Sequence, residues 1–326
     1  MTTSTAATHE SSASVAAYPL DGGCSCRWVR YRMQTHPLFV HCCHCRWCQR
    51  ETGSAFVMNA MIEADRVVNL GVTPELVDTT SESGEGQVIA RCPHCHVAVW
   101  SHYPGAGPLL KFVRVGTLDE PDRLPPDIHI FTASKQPWVM LTANVPAVPE
   151  FYDREKYWPA DSLARRRTFL PSIEAYHHEL KQRQIVNTRL VHLPRERLFQ
   201  AFCDPARLAR WWGLSGFRST FATFDFRPGG HWVFTLHGPD GRDYANESVF
   251  VDVTAPARVR LRHVSDPKFE LLVTLAEEDG GTRIRWRQRF GSAVECERIA
   301  GSVAPKNEEN LDRWVKEAGG GEVGNR

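Results

Sequence analysis

Residues 40–56 read VHCCHCRWCQRETGSAF, a stretch that holds four cysteines and two histidines between positions 41 and 48. Thiolate and imidazole are ligands that zinc prefers in proteins, and closely spaced cysteines can reach one ion from a single tight turn. Two more pairs flank this stretch, Cys24 with Cys26 before it and Cys92 with Cys95 after it. The pattern therefore predicts a metal-binding domain in the first half of the chain.

The overall composition is that of an ordinary globular protein, with 42% hydrophobic and 24% charged residues in a chain of 326. This length favours two domains. The formal net charge is +1, so no overall field favours binding to nucleic acid or to an anionic membrane. No apolar run reaches the length of a membrane span, and we expect neither nucleic acid nor membrane as a partner.

The N-terminal residues 1–18 are rich in Ser, Thr and Ala and contain no arginine. They have no apolar segment of the kind that a signal peptide requires, so we expect a disordered tail. The protein is therefore predicted to be cytoplasmic, where its ten cysteines stay reduced. In that compartment clustered cysteines are metal ligands in preference to disulfides.

The spacing of the cysteines predicts two zinc sites of different kinds. Four thiolates close a tetrahedral, structural site, and the predicted set is Cys24, Cys26, Cys92 and Cys95. The remaining trio, Cys43, Cys45 and Cys48, leaves a fourth position for water or substrate, which is the arrangement of catalytic sites. An alternative stays open in which a fourth protein ligand makes the second site structural too, the candidates being His41, His44, His94, His96 and Cys42.

Other ordered motifs accompany these cysteines: Gly22-Gly23, Gln49-Arg50, Thr52-Gly53-Ser54-Ala55-Phe56, GTLDEP at 116–121, His129-Ile130-Phe131 and Ser134-Lys135-Gln136-Pro137-Trp138. Together they make residues 19–158 similar to the glutathione-dependent formaldehyde-activating (GFA)/CENP-V family. The resemblance implies a mainly-β zinc fold, the β-tent, with two zinc ions divided as above. It also implies carbon–sulfur lyase chemistry on the adduct of a thiol and a carbonyl, as in the reaction of glutathione with formaldehyde.

The chain departs from the family pattern after each structural cysteine pair, where Arg27 and His96 stand in place of glycine. Glycine permits a positive φ at such positions, so the departures predict locally different turns.

Further polar residues of this half are weaker candidates for a functional role. Asp119, His129 and Lys135 have the chemistry to position a substrate carboxylate or transfer a proton, although such residues more often cap turns or face solvent. Trp138 is predicted to be part of the core.

Residues 159–184 are predicted to be a linker, because Pro159 and Pro171 interrupt a polar segment. The last residues of this segment, HHELKQRQ, predict a short polar helix. The run Arg165–Arg167 is interpreted as a solvated face of the linker, the alternative being a contact with an acidic partner.

The second half alternates between apolar and polar residues, as in Arg283-Ile284-Arg285-Trp286-Arg287, which indicates half-buried antiparallel strands. Turn signals such as Pro228-Gly229-Gly230 separate these strands. Two short helices are predicted over 195–212, and a long helix over 292–318 that Pro305 should kink or divide.

Motifs that carry a second resemblance include Trp211-Trp212-Gly213, Phe226-Arg227-Pro228-Gly229-Gly230 and Asn246-Glu247-Ser248. With them, residues 185–318 resemble the SRPBCC (START-like) superfamily, in the branch named for the activator of the heat-shock ATPase. The resemblance implies an α+β helix-grip domain whose antiparallel sheet curves around the last helix and encloses an apolar cavity. Whether the tryptophans line that cavity or fill the core stays open, and residues 319–326 are expected to be a tail.

The sequence thus predicts a zinc-dependent enzyme that acts on a small glutathione-like thiol, with Cys43, Cys45 and Cys48 as its catalytic site. An SRPBCC domain that binds a small apolar ligand is fused behind it. The alternative is a non-catalytic, zinc-stabilised binding protein whose second domain holds a ligand or docks a protein partner.

Overall fold

The computed structural model describes residues 18–79, 81 and 85–319 of the chain. Two compact units divide it, residues 1–174 and 175–326, and the division falls inside the predicted linker 159–184. Apart from Tyr18 and Gly319, the two predicted tails lie outside the described residues. Among the described helices, none combines the length and apolar composition needed to cross a bilayer.

The first unit is mainly β, as the sequence predicts. Its strands are β1 Leu20–Gly23, β2 Arg30–Met33, β3 Phe39–Cys43, β4 Val57–Glu63, β5 Val67–Asn69, β6 Glu75–Thr79, β7 Gln87–Arg91, β8 Ala98–His102, β9 Leu110–Arg114 and β10 Ile128–Ile130. Its helices are α1 Arg46–Thr52, α2 Arg154–Tyr157 and α3 Ala160–Gln182, the last of which contains the boundary between the units.

A seven-stranded sheet with the order β10-β3-β4-β9-β8-β7-β6 forms the centre of this unit, and a small sheet β1-β2-β5 accompanies it. Strand β10 joins β3 in parallel, and the other neighbours are antiparallel. Both faces of the large sheet are covered. One core contains Val40, Ala60 and Val113 together with Cys24 and Cys92.

The core on the opposite face contains Phe39, Met61 and Ile128 together with Cys43, Cys45 and Cys48. Because successive side chains of a strand point to opposite faces, the sheet keeps the two predicted zinc sites apart.

Helix α3 differs from the predicted linker. It runs through Pro171, although a proline in a helix interior removes one hydrogen bond and crowds the preceding turn. The first half of the helix is held by tertiary contacts, since Leu163 packs on the core of the first unit. Arg165 forms a bidentate ion pair with the buried Glu63. Its Nε donates to Glu63 Oε1 at 3.2 Å and its Nη2 to Glu63 Oε2 at 2.5 Å. The interpretation of Arg165 as part of a solvated face is therefore wrong.

The second unit has the predicted order of one strand, two short helices, a run of hairpins and a closing helix. Its elements are β11 Gln184–Val191, α4 Arg195–Cys203, α5 Pro205–Trp211, β12 Arg218–Phe224, β13 His231–His237, β14 Asp243–Thr254, β15 Arg258–His263, β16 Phe269–Glu278, β17 Gly281–Phe290 and α6 Ala293–Gly319. The strands form one antiparallel sheet, β11-β17-β16-β15-β14-β13-β12. Pro305 does not divide α6, which is continuous.

Local signals explain the helix boundaries of this unit. Asp204 begins α5, and its side chain accepts hydrogen bonds from the backbone N–H groups of Ala206 and Arg207, at 2.8 Å and 3.2 Å. Two arginines of β17 are paired with carboxylates of β16, Arg289 with Glu270 at 3.1 Å and Arg283 with Glu278.

Aromatic side chains dominate the core of the second unit. Trp211, Trp232, Trp286 and Trp314 are each at most 1% exposed. The rings of Trp211 and Trp314 stack with their centroids 5.0 Å apart.

Candidate metal centres

The four cysteines of the predicted structural site come together in the structure. Cys24 and Cys26 follow β1, Cys92 and Cys95 lie in the turn between β7 and β8, and their four sulfur atoms lie within 4.8 Å of one another. The Sγ atom of Cys26 is 3.4 Å from that of Cys24 and 3.6 Å from that of Cys92. Four sulfurs bound to one zinc at 2.3 Å would be about 3.8 Å apart, so the donor set fits a zinc ion.

Backbone N–H groups around this four-cysteine site favour the thiolate form. Val29 N donates to Cys24 Sγ at 3.3 Å, and His94 N donates to Cys92 Sγ at 3.4 Å. The backbone N–H of Val97 lowers the pKa of Cys95 to about 6. Such N–H···S contacts stabilise negative charge on sulfur, which is the form that binds a metal.

The turns that carry the two pairs are alike. Arg27 N donates to Cys24 O and His96 N donates to Cys92 O, each at 3.0 Å. The φ angles of Arg27 and His96 are +64° and +59°, the left-handed conformation that glycine would adopt at these positions. The prediction of locally different turns is therefore wrong, because the backbone of Arg27 and of His96 adopts the left-handed conformation although neither residue is glycine.

Cys43, Cys45 and Cys48 form a second, separate group with their sulfurs within 4.8 Å of one another. Cys43 ends β3, Cys45 caps the N-terminus of α1, and Cys48 lies in the first turn of that helix. All three are buried. Hydrogen bonds from the Cys43 and Cys48 thiols lower the pKa of Cys45 to about 3, and Cys48 N also donates to its sulfur at 3.3 Å.

This three-cysteine group has no fourth protein ligand in the part of the chain that the structure describes. No other Cys, His, Asp or Glu ligand atom of those residues lies within 4.8 Å of all three sulfurs. The alternative in which His41, His44, His94, His96 or Cys42 completes this site is therefore not supported by the geometry. His94 instead stacks on Trp28 with a centroid distance of 4.6 Å.

Cys42 and His44 belong to a third group, with His129. The Nε2 atom of His44 lies 3.0 Å from Nδ1 of His129 and 3.5 Å from the sulfur of Cys42. All three residues are buried, and burial lowers the pKa of both histidines, that of His44 to about 4. The sequence reasoning did not foresee this combination, although strand alternation places Cys42 and Cys43 on opposite faces of β3.

Arg114 is a buried residue near the three-cysteine group that sequence reasoning missed. It is 5% exposed, and its guanidinium donates to Asn59 Oδ1 at 2.6 Å and to Ser101 Oγ at 3.1 Å. Both partners are neutral, and its Nε–H has no partner among the described residues. A hydrogen bond with Cys43 and the charge of Arg114 favour the thiolate form of Cys48, whereas Cys45 and burial raise the pKa of this thiol overall, to about 12. A buried cation with neutral partners is costly unless a negative charge lies nearby.

Other residues named from the sequence lie elsewhere. Asp119 pairs with Arg30 near the surface, at 2.5 Å and 2.8 Å. Lys135 Nζ donates to the carbonyl oxygens of Gln136 and Val139, which is a turn-stabilising role. Trp138 is 72% exposed, so the prediction that it belongs to the core is wrong.

A pocket of about 140 Å³ opens on the sheet face that carries the three-cysteine group. Its lining includes His41 of β3, Phe112 of β9 and Tyr103, the residue that follows β8. His41 Nε2 lies 2.6 Å from the hydroxyl of Tyr152, which also accepts a hydrogen bond from Trp158 Nε1 at 2.8 Å. Burial lowers the pKa of His41 to about 4, so this imidazole is neutral.

The interior of the second unit holds two buried indole N–H groups, those of Trp232 and Trp286, without a hydrogen-bond partner in the described residues. By contrast, Trp211 Nε1 donates to Ala201 O at 2.8 Å and Trp314 Nε1 to Leu198 O at 3.0 Å. Buried donors without partners are uncommon and call for an acceptor such as water or a ligand.

Comparison with known families confirms the two resemblances drawn from the sequence. A family model described as glutathione-dependent formaldehyde-activating enzyme matches residues 19–134. A second model, described as activator of Hsp90 ATPase homolog 1-like protein, matches residues 192–317. Each model covers less than half of the chain. No curated protein was found to match.

Several solved structures are similar to part of the chain. A protein from Nitrosomonas europaea is 14% identical, with 44% of this chain and 97% of that one covered and a TM-score of 0.41. A protein from Mycobacterium smegmatis is 23% identical, with 46% of this chain and 96% of that one covered and a TM-score of 0.38. An AHSA1-like protein from Aeromonas hydrophila is 24% identical, with 44% of this chain and 99% of that one covered and a TM-score of 0.35. TM-scores this low carry no argument about the architecture or the activity of this chain.

Proposed function

We propose that the first unit is a zinc-dependent carbon–sulfur lyase that acts on the adduct of a small thiol and a carbonyl, of the glutathione–formaldehyde type. One zinc ion, on Cys24, Cys26, Cys92 and Cys95, holds the fold. A second is bound by the three-cysteine group Cys43, Cys45 and Cys48. A reducing, cytoplasmic compartment, which keeps these residues as thiols, is part of the same proposal.

The observation that carries the proposal is the three-cysteine group itself: three buried sulfurs within 4.8 Å of one another, beside a pocket, with no fourth ligand among the described residues. Zinc bound there would keep an open position that stabilises a substrate thiol as its thiolate, the nucleophilic form. A zinc ion with four protein ligands has no open position and could not bind a substrate thiol in this way.

The charges around the group support the same reading. Three thiolates and one divalent cation carry a net charge of −1, and Arg114 supplies the opposite charge in a buried position. A substrate thiolate adds a further negative charge, which makes this buried cation more important for binding. Arg114 therefore favours the ionised form of Cys48 and of a substrate sulfur bound beside it.

The pocket also contains a hydrogen-bond donor for the carbonyl oxygen. In the forward direction the substrate thiol releases its proton, its sulfur forms a bond to the carbonyl carbon as the C=O π bond opens, and the resulting alkoxide takes up a proton from solvent to become a hydroxyl group. Burial raises the pKa of Tyr103 above its usual range, so this residue stays protonated and can donate a hydrogen bond to the developing oxyanion. In the reverse direction the carbon–sulfur bond breaks and the hydroxyl proton is released.

We further propose that the second unit binds a small, largely apolar ligand that carries a hydrogen-bond acceptor. The unpartnered indole N–H groups of Trp232 and Trp286 support this role. They also favour the second candidate function, a non-catalytic binding protein in which both metal sites are structural. The two candidate functions predict different effects when a single cysteine is removed from the three-cysteine group. The enzyme should lose turnover and stay folded, whereas the binding protein should lose stability.

The test is turnover of glutathione with formaldehyde by the zinc-loaded full chain, compared with Cys43→Ser and with Cys203→Ser. Cys203 lies in α4 of the second unit and outside all three groups, so it serves as a matched control. We expect Cys43→Ser to lose turnover while the chain stays folded, and Cys203→Ser to retain it. Absence of turnover in the wild-type chain would favour the binding protein.

A further inference from the structure

Seven of the fifteen residues that line the pocket beside the three-cysteine group follow the family match, which ends at residue 134. These later residues are Phe151, Tyr152, Arg154, Trp158, Arg166, Phe169 and Ile173. The last three belong to α3, the helix that replaces the predicted linker. Nearly half of the lining therefore lies beyond the residues that the family model matches.

Two of these residues are arginines on the same pocket wall. Arg154 and Arg166 are both half-buried, and neither forms an ion pair with any residue that the structure describes. Burial, followed by the charge of Arg154, lowers the pKa of Arg166. The carboxylate of Glu155 acts on Arg166 in the opposite sense, but it is exposed and forms no salt bridge with it.

Such an arrangement favours the binding of an anion. Two guanidinium groups that repel each other in a partly desolvated pocket are stabilised when a negative charge enters. Arginine binds carboxylates through two parallel N–H···O bonds, and the planar group also packs on aromatic rings. Arg154 lies 5.7 Å from the ring centroid of Trp158, a position that keeps its guanidinium available at the wall.

The pocket also adjoins the three-cysteine group. His41 in its wall and Cys43 lie two residues apart on β3 and therefore on the same face, about 7 Å from each other along the strand. Phe112 and Arg114 are related in the same way on β9. Tyr103 lies in the pocket wall and within electrostatic reach of all three cysteines. The pocket that carries the arginines is thus lined on its sheet side by neighbours of the three-cysteine group, although the three cysteines themselves do not line it.

We propose that this pocket binds the carboxylate end of the thiol substrate, with Arg154 and Arg166 as its specificity-determining residues and the substrate sulfur at the three-cysteine group. The ligand class is a small thiol with a carboxylate a few bonds from the sulfur. This proposal rests on the proposed function. A volume of about 140 Å³ is below the range of pockets that enclose drug-sized ligands, so the pocket holds only the carboxylate and its neighbouring carbon atoms.

The experiment uses the zinc-loaded full chain and two probes of nearly equal size, 3-mercaptopropionate and its neutral analogue 3-mercaptopropionamide. Titration calorimetry gives the dissociation constant of each. We expect the wild-type chain to bind the carboxylate at least about tenfold more tightly than the amide, because a charge-assisted arginine contact is worth more than a neutral one. The comparison needs no variant and is independent of turnover.

Substitutions of the two arginines then test whether these residues bind the carboxylate. Arg166→Met and Arg154→Met should each weaken binding of the carboxylate about tenfold and leave the amide unchanged. Arg167→Met is the matched control, since Arg167 is the next residue of the same helix, is exposed and does not line the pocket. It should bind both probes like the wild type.

Two other outcomes separate the two proposals. Equal binding of both probes to the wild type, abolished by Cys43→Ser, would overturn the carboxylate pocket and leave the proposed function standing. A preference for the carboxylate that Cys43→Ser does not change would contradict the proposed function and leave the two arginines as a carboxylate site. No binding of either thiol would contradict both proposals.

Discussion

Cys42 and Cys43 are neighbours in the sequence, but their sulfurs belong to different sites on opposite faces of strand β3. Cys43 joins Cys45 and Cys48, whereas the sulfur of Cys42 lies 3.5 Å from Nε2 of His44. The strand alternation that separates them leaves the three-cysteine group without a fourth thiolate. The open position on which the proposed chemistry depends is thus a consequence of the pleat of a single strand.

This separation predicts different phenotypes for two adjacent substitutions. Cys42→Ser should keep the zinc content and the turnover of the wild type, because Cys42 does not belong to the three-cysteine group that is proposed to bind the second zinc. It should lower the free energy of unfolding by about 1 kcal/mol, since a buried hydroxyl replaces a sulfur that packs well. Zinc analysis and urea denaturation measure both effects. Loss of a zinc ion from Cys42→Ser would show that the two groups are not independent.

Removal of the buried charge of Arg114 should weaken the second zinc site. In Arg114→Met the zinc-loaded site keeps its net charge of −1 but loses the positive charge that balances it. We therefore expect the zinc affinity to fall about tenfold or more, which corresponds to a loss of about 1.4 kcal/mol in binding free energy. Competition with a chromophoric chelator measures this affinity. Arg114→Lys keeps the charge and should retain most of the affinity. Equal affinities in Arg114→Met and the wild type would show that the guanidinium is only a packing element.

Helix α3 should contribute to the stability of the first unit through Arg165. Its partner Glu63 has a side chain that is only 6% exposed, and Arg66, at 3.5 Å, is the other cation paired with it. Arg165→Met should therefore lower the free energy of unfolding by about 2 kcal/mol, less than for a fully buried pair that loses its only cation. Arg167→Met should change it by no more than about 0.5 kcal/mol. Equal effects in urea denaturation would indicate that α3 does not dock through Arg165.

The second unit should lose stability in acid because of His263. This side chain is 5% exposed, Nδ1 lies 3.1 Å from Ser248 Oγ, and burial lowers its pKa from 6.5 to about 4. The unfolded chain binds the proton more tightly, so this contribution is complete above pH 6.5 and is lost as the pH falls towards 4. The loss amounts to about 3 kcal/mol.

The variant His263→Gln removes the titrating group from a position that still permits a hydrogen bond. Its unfolding free energy, followed by tryptophan fluorescence between pH 7 and pH 4, should fall less steeply than that of the wild type. Parallel curves for the two proteins would contradict the assignment of the acid sensitivity to His263.

The positions of the cysteine groups were predictable because ligand spacing is a local property of the sequence. The pairs Cys24/Cys26 and Cys92/Cys95 meet as expected. The helices at Arg195–Cys203 and Pro205–Trp211 were also predictable, since Asp204-Pro205 is a local start signal.

Features that depend on tertiary contacts were not predictable in the same way. Helix α3 continues through Pro171 because its first half packs on the unit before it, and no local signal reveals that packing. The burial of Arg114 depends on Asn59 and Ser101, which approach it only when β4, β8 and β9 are adjacent. The exposure of Trp138 likewise reflects the absence of a partner that sequence alone does not disclose.

The proposed function requires two zinc sites, of which one has three protein ligands and a separate role. Zinc per chain, measured by elemental analysis after gel filtration, distinguishes these sites when wild type and Cys43→Ser are compared. We expect two zinc ions in the wild type and one in Cys43→Ser, with the variant still eluting as folded protein. One zinc ion in both proteins would contradict the proposed function, because the three-cysteine group would then not be a metal site.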